Sequence, residues 1–202
     1  MIIKSLKLLG KKDANTFVAV TDVGEYKLFS DVIVKYSISV GEADEERFKK
    51  AVVESNEKIA FNMAVKYASS KLKTEKQMRD YLYKKEFKKQ TIVPVIDKLK
   101  EYGVIDDYTY AESYIKSNPN FSKNKLKQKL LGVGIDKELI ENLLNDIEED
   151  DSCLTNAKKF LKNKVLNKST REKLIRRLSY LGYSWDSINS ALHEFTFDDV
   201  DE

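Results

Sequence analysis

The chain has 202 residues, of which 42% are apolar, and its 36 Lys and Arg against 33 Asp and Glu leave a net charge of +3. One Cys and one His exclude a disulfide framework and a Cys/His zinc site, and because no apolar run approaches the roughly 18 residues of a membrane span, we expect a cytoplasmic protein. The presence of only two Pro and seven Gly favours long helices over an all-β fold with many tight turns.

The N-terminal part of the chain has the pattern of a small antiparallel sheet. Short apolar segments alternate there with turn-like stretches; the segments are residues 2–9, 16–21 and 25–29. Residues 31–36 are compatible with one helical turn, and residues 44–55 show acidic residues followed by a helical apolar pattern. We therefore expect residues 1–56 to form a small β-rich region with a connecting helix.

An internal repeat with a spacing of 48 residues follows. Within each copy the recurring apolar residues lie three and four positions apart, which places them on one face of a helix. The recurring sets are Met78, Leu126 and Leu174; Leu82, Leu130 and Leu178; Phe87, Ile135 and Tyr183; Ile92, Ile140 and Ile188; and Ile96, Leu144 and Leu192. The spacing predicts a mainly α protein, in which three tandem three-helix repeats form an elongated array over residues 57–105, 106–149 and 150–195. An acidic tail, residues 196–202, follows the array.

Residues at the predicted helix ends support this register. A hydroxyl side chain precedes the second helix of each repeat, where it can accept a hydrogen bond from a first-turn amide. These residues are Thr74, Ser122 and Thr170. Gly134 and Gly182 end two of the second helices, whereas Glu86 occupies the equivalent position in the first repeat. Because glycine adopts the left-handed conformation at little cost, we expect the first copy to end its helix differently.

Motifs that would support enzyme chemistry are missing from the sequence. There is no Gly-rich phosphate-binding loop, and His193 has neither a cysteine nor a second histidine nearby, so we assign no catalytic role to Cys153 or His193. An acidic run could in principle hold a divalent cation, but its position between two helical units favours a solvated linker. The run consists of Asp146, Glu148, Glu149, Asp150 and Asp151. We expect a non-catalytic protein without a metal ion or cofactor.

Cationic side chains are concentrated near and within the second helices. The segment SKNKLKQKLLG of the second repeat has four lysines and no acid, although its repeat is net acidic. Lys125 aligns with Lys173, and Lys129 aligns with Arg177, which suggests a recurring cationic stripe. The alternative is that these residues are ordinary helix formers on a solvated face. The candidate binding residues are Lys71, Lys73, Lys84, Lys85, Lys123, Lys125, Lys129, Arg171, Lys173, Arg176 and Arg177.

Two segments resemble a known family. VIDDYTYAESYI, residues 104–115, is similar to the signature of the RecX regulatory proteins, and AVKYASSKLKTEKQMRDYL, residues 64–82, resembles a neighbouring segment of that family. The family's paired arginines before the second helix are replaced here by Lys71 and Lys73, which keep the charge but cannot make bidentate contacts. Tyr110 and Tyr114 of the signature are spaced by four, and we assign them to packing.

The resemblance implies a regulator of homologous recombination, DNA repair and the SOS response. Such a protein binds the RecA filament on single-stranded DNA as a monomer and inhibits RecA ATPase, strand exchange and coprotease activity. The resemblance leaves open whether DNA is touched directly. A stand-alone DNA-binding helical module is the alternative, because three-helix units also build helix-turn-helix readers. The predicted third helices are acid-rich or neutral, however, and offer no cluster of base-reading side chains. An unrelated structural scaffold is a third alternative.

Overall fold

The computed structural model describes residues 1–10, 15–145, 147, 149–162 and 164–195. Ten helices follow an antiparallel sheet of four strands in this part of the chain, so the prediction of a mainly α protein with an N-terminal sheet is confirmed. No described helix is both long and apolar enough to cross a membrane. The chain divides into two compact units, residues 1–106 and 107–202. The predicted acidic tail lies outside the described residues, and the finer division into repeats stays a prediction.

The sheet forms the N-terminal part of the first unit. Its strand order is β3-β2-β1-β4, with all neighbours antiparallel. The strands are β1 (Ile2–Leu8), β2 (Thr16–Thr21), β3 (Glu25–Phe29) and β4 (Gly41–Glu42). The three predicted strands are confirmed, while β4 was missed because two residues are too short to show a strand pattern. Ile3, Ala19 and Leu28 bury one side of the sheet against Phe48 of the following long helix.

That long helix corrects the predicted connection between the sheet and the repeats. After the short α1 (Ser30–Lys35), a single helix of 24 residues, α2 (Glu45–Ala68), runs without a break from the expected connecting helix over residues 44–55 into the first repeat, which we expected to begin at residue 57. No Pro or Gly interrupts the chain between those two segments, so the helical hydrogen bonding continues. Ser55 in its middle is fully buried and accepts a hydrogen bond of 3.0 Å from the Phe29 amide, which ties α2 to β3.

Three sets of helices follow, each with its own core. The C-terminal half of α2 packs with α3 and α4, α5 packs with α6 and α7, and α8 packs with α9 and α10. Their bounds are α3 (Glu75–Lys84), α4 (Lys89–Glu101), α5 (Asp107–Ser117), α6 (Lys123–Gly132), α7 (Lys137–Leu144), α8 (Glu149–Leu161), α9 (Lys168–Leu181) and α10 (Trp185–His193). All the recurring apolar residues except the half-buried Phe87 are buried, which confirms the register of 48 residues.

The start of α8 corrects the interpretation of the acidic run as a linker. Glu149, Asp150 and Asp151 form the first turn of this helix. Asp146 and Glu148 lie outside the described residues.

The predicted caps of the second helices are confirmed in two of the three repeats. Thr74 and Ser122 cap α3 and α6, with hydroxyl oxygens that accept hydrogen bonds of 3.1 and 3.2 Å from first-turn amides. The predicted cap at Thr170 is wrong, because α9 begins at Lys168. The side chain of Asn167 caps it instead and accepts a hydrogen bond of 2.9 Å from the Thr170 amide. Asparagine is as good a capping residue as serine, so the earlier start costs little.

The helix ends are alike in all three repeats, which corrects the expectation for the first. Glu86 adopts a φ of 66°, close to the 88° of Gly134 and the 90° of Gly182. The residue after each one donates its amide to the carbonyl five positions earlier, the hydrogen bond of a Schellman-type helix end. These bonds are Phe87 to Leu82 at 3.2 Å, Ile135 to Leu130 at 3.1 Å and Tyr183 to Leu178 at 3.2 Å. The turn is kept because it brings the next recurring apolar residue back to the core.

We predict that Leu178→Ala lowers the free energy of unfolding of the second unit by about 2–5 kcal/mol, because it leaves a cavity at a fully buried position. Trp185, the only tryptophan, lies at the start of α10 in the same unit and reports its unfolding by fluorescence in urea. The exposed Lys173→Ala variant, on the same helix, is the control and is expected to unfold like the parent. Equal stability of both variants would contradict the assigned core.

Candidate functional site

Two second helices, α6 and α9, meet at a tight junction in the second unit. Ser122 donates its amide to the Leu181 carbonyl at 2.9 Å and its hydroxyl to the Gly182 carbonyl at 2.6 Å. A Cβ atom on Gly182 would lie 2.7 Å from both the Lys125 Cβ and the Ser122 Oγ. Glycine is therefore required at this position by close approach as well as by its positive φ. The junction fixes the start of α6 against the end of α9.

Lys125 is part of this junction. Its ammonium group donates to the Tyr180 carbonyl and lies 3.7 Å from the centre of the Tyr180 ring and 4.6 Å from that of Phe121. A carbonyl at a helix C-terminus and two aromatic faces are all favourable partners for a cation. The charge of Lys125 is thus satisfied within the unit. Lys173, its aligned counterpart, is exposed and forms no ion pair with a described acid, so the two lysines differ in environment.

Four cations of α6 and α9 remain available to a partner. Lys129, Lys173, Arg176 and Arg177 are exposed, and none of them pairs with an acid in the part of the chain that the structure describes. We call these four residues the outer cation set. Of the other predicted residues on these helices, Lys123 and Arg171 are half-buried.

The neighbouring Lys127, in contrast, forms an ion pair. Its ammonium group lies 2.8 Å from the Glu141 carboxylate of α7, and Lys137 lies 3.8 Å from the same carboxylate. The hydrogen bond from Lys127 lowers the pKa of Glu141. Lys127 was not among the predicted binding residues, and this ion pair leaves it little charge to offer.

The aromatic ring of Phe160 lies under part of the third repeat's cations. Lys164 lies 3.7 Å and the guanidinium carbon of Arg177 5.9 Å from the ring centre. Sequence reasoning missed Lys164 because it falls in the loop between α8 and α9, where no periodic pattern marks it. Only the fold brings it beside a residue of α9.

In the first unit, two of the predicted cations lie beside a pair of stacked tyrosines. The rings of Tyr67 and Tyr81 stack with centres 4.0 Å apart and planes within 5°. Lys73 lies 4.5 Å from the centre of the Tyr67 ring, and Lys85 lies 5.8 Å from that of Tyr81. The remaining two, Lys71 and Lys84, are exposed. Sequence reasoning missed this pair because the tyrosines come from different helices.

The first turn of α3 differs from those of α6 and α9 because it carries an acid. Glu75 binds Arg79 at 2.6 Å and also contacts the Lys100 ammonium group. Burial alone would raise the pKa of Glu75, but the hydrogen bonds from Lys100 and Arg79 keep it below its ordinary value. Arg79 and Lys100 are therefore paired inside the first unit, and the positions of α3 that align with the outer cation set hold Gln77, Asp80 and Tyr81.

Tyr110 and Tyr114 have the packing role that we assigned to them. Both are half-buried against the core formed by α5, α6 and α7, and their rings stack with centres 6.4 Å apart. Burial raises the pKa of Tyr114. Both rings therefore contribute to the core formed by α5, α6 and α7.

A family model, two relatives and a solved structure all match this chain, and all four carry the same family name. A family model described as "RecX, first three-helix domain" matches residues 60–99. The Regulatory protein RecX of Clostridium perfringens is 34% identical over 161 residues, which cover 76% of each chain. That of Clostridium tetani is 29% identical over 198 residues, which cover 94% of this chain and 91% of the relative. A crystal structure of regulatory protein RecX matches the fold with a TM-score of 0.64 at 18% identity and covers 96% of this chain and 99% of the other.

We predict that Lys125→Met destabilises the second unit by about 1–3 kcal/mol, because it removes a charge-assisted hydrogen bond and two cation–π contacts. Lys173→Met, the same change at the aligned position of α9, is expected to leave stability unchanged. Urea unfolding followed by Trp185 fluorescence compares the two variants. A parent-like midpoint for Lys125→Met would show that its charge is not used in the junction.

Proposed function

The chain belongs to the RecX family of regulatory proteins, and we propose that it regulates the RecA recombinase by binding the RecA filament on single-stranded DNA. Proteins of this family are non-catalytic regulators. In the proposed mode of action, a monomer in the cytoplasm binds the filament and lowers RecA ATPase, strand exchange and coprotease activity. Recombination, DNA repair and the SOS response would be restrained accordingly.

The observation that carries the proposed contact is the outer cation set. Its four side chains are exposed and unpaired among the described residues, whereas Lys127 beside them is neutralised by Glu141. A filament of protein on single-stranded DNA offers phosphates and carboxylates together. Cations without an acidic partner bind such a surface at little desolvation cost, and contacts with phosphate gain additionally from counterion release.

The packing of the second unit supports a contact through α6 and α9. Leu126, Leu130, Leu174 and Leu178 are buried on these helices, so the cations between them lie on the faces that remain exposed. The junction at Ser122 and Gly182 holds the start of α6 against the end of α9, which fixes the position of one helix relative to the other. Lys125 serves this geometry, while the outer cation set provides the contact. Lys123 and Arg171 lie on the same two helices, and Lys71, Lys73, Lys84 and Lys85 form a second candidate contact in the first unit.

We predict that the triple variant Lys129→Glu, Lys173→Glu and Arg177→Glu folds like the parent but loses most inhibition of the DNA-stimulated RecA ATPase. Lys125 is left in place so that the junction is undisturbed. The control makes the same change of charge at three exposed lysines elsewhere in the same unit, Lys116, Lys137 and Lys158, of which the first two lie near Glu112 and Glu141, and it is expected to inhibit nearly as well as the parent.

The dose of protein distinguishes filament binding from competition for DNA. A protein that acts on filament ends or within the filament inhibits at amounts well below the RecA concentration. A stand-alone DNA-binding module would have to cover the strand and would be titrated away by excess DNA. No inhibition at any dose would contradict the proposed function, and equal inhibition by the triple variant and the parent would exclude the contact on α6 and α9.

A further inference from the structure

A cleft in the first unit differs in character from the surface on α6 and α9. It lies between the sheet and the C-terminal half of α2, has a volume of about 530 Å³, and is bordered on one side by α3. Its volume is within the range of about 300–1,000 Å³ that is common for ligand sites. The polar and aromatic residues that line it are Asn15, Lys27, Phe29, Asn62, Lys66 and Tyr81.

The described charged residues that line this cleft are all positive. None of its described lining residues is acidic, and neither Lys27 nor Lys66 forms an ion pair with an acid in the described chain. In a second cleft beside α2, by contrast, lysines meet carboxylates. Lys58 lies 2.5 Å from Asp31, and Lys98 lies 3.9 Å from Glu57. Two unpaired lysines in a concave surface concentrate positive potential and attract an anionic ligand.

An aromatic wall borders the two lysines. Tyr81 lines the cleft and is held in position by its stacking on Tyr67, and Phe29 lines it from the sheet. The exposed side-chain amides of Asn15 and Asn62 add hydrogen-bonding groups. Proteins that bind single-stranded nucleic acid combine cations, which contact the phosphates, with aromatic rings, on which the bases stack. This cleft has both kinds of side chain.

We propose that this cleft binds a short segment of single-stranded nucleic acid, with phosphates at Lys27 and Lys66 and a base packed against Tyr81. A duplex keeps its bases stacked inside, so only an unpaired base reaches the aromatic wall. An acidic peptide would bind the lysines but would not require an aromatic ring beside them. Binding of a strand in this cleft can be measured without RecA, so its test is independent of the test of the proposed function.

The first test measures binding of a fluorescent oligothymidine by anisotropy over a series of salt concentrations. Lys27→Gln with Lys66→Gln is expected to weaken binding about tenfold at low salt. The slope of log affinity against log salt should fall by about 1.4, which corresponds to about 0.7 for each of two lost phosphate contacts. The control, Lys4→Gln with Lys50→Gln, removes the same charge from exposed positions outside this cleft and is expected to keep the parent slope.

The second test separates base recognition from phosphate binding. The parent should bind oligothymidine about tenfold more tightly than an abasic strand of equal length, because stacking of one base contributes about that factor. Tyr81→Leu should lose this preference and Tyr81→Phe should keep it. Because the abasic comparison is made first on the parent, the test remains decisive even if Tyr81→Leu fails to fold.

Competitors identify the ligand. Thymidine monophosphate that fails to displace the strand supports binding of a strand segment, whereas displacement at comparable concentration would overturn it in favour of a free-nucleotide site. Displacement by polyglutamate as effective as that by oligothymidine would overturn it in favour of an acidic protein segment. Equal slopes for the Lys27/Lys66 variant and its control would place strand binding outside the cleft.

Discussion

The burial of one apolar face on each second helix is the constraint on which the remaining features depend. Leucines four residues apart on α6 and α9 point into their cores, so the cations between them, Lys127, Lys129, Arg176 and Arg177, lie outside those cores. A cation there remains available unless a neighbouring element supplies an acid. Glu141 of α7 does so for Lys127, while no described acid does so for Lys129 or Lys173. The cationic surface is thus a consequence of core packing combined with the placement of acids.

The helix ends show how strongly this constraint acts on local structure. Glu86 takes the left-handed conformation that costs a non-glycine residue about 1–2 kcal/mol, although its counterparts in the other repeats are glycines. The turn persists because it closes the amide bond from Phe87 to Leu82 and returns the chain toward the core. Packing therefore overrides residue preference at this position.

Features that depend on periodicity or on neighbouring residues could be predicted from the sequence. Features that depend on contacts between distant residues could not. The strands, the recurring apolar residues and the caps at Thr74 and Ser122 follow from spacing and side-chain chemistry. No Pro or Gly separates the two halves of α2, so its continuity could have been predicted, whereas the hydrogen bond from the Phe29 amide to Ser55 depends on the fold. Lys125 aligns with Lys173 in sequence, yet the approach of Gly182 and Tyr180 gives it a different role. The lysines of the cleft are separated by almost forty positions along the chain, and no local pattern connects them.

Chemical labelling of lysines tests most directly whether the exposed faces of α6 and α9 contact the filament. The full chain is labelled alone and in the presence of RecA assembled on single-stranded DNA, and the modification of each lysine is measured by mass spectrometry. The account predicts that Lys129 and Lys173 become protected while Lys116 and Lys137, which lie elsewhere in the same unit, keep their reactivity. Unchanged labelling of Lys129 and Lys173, with protection of Lys116 and Lys137 instead, would contradict it.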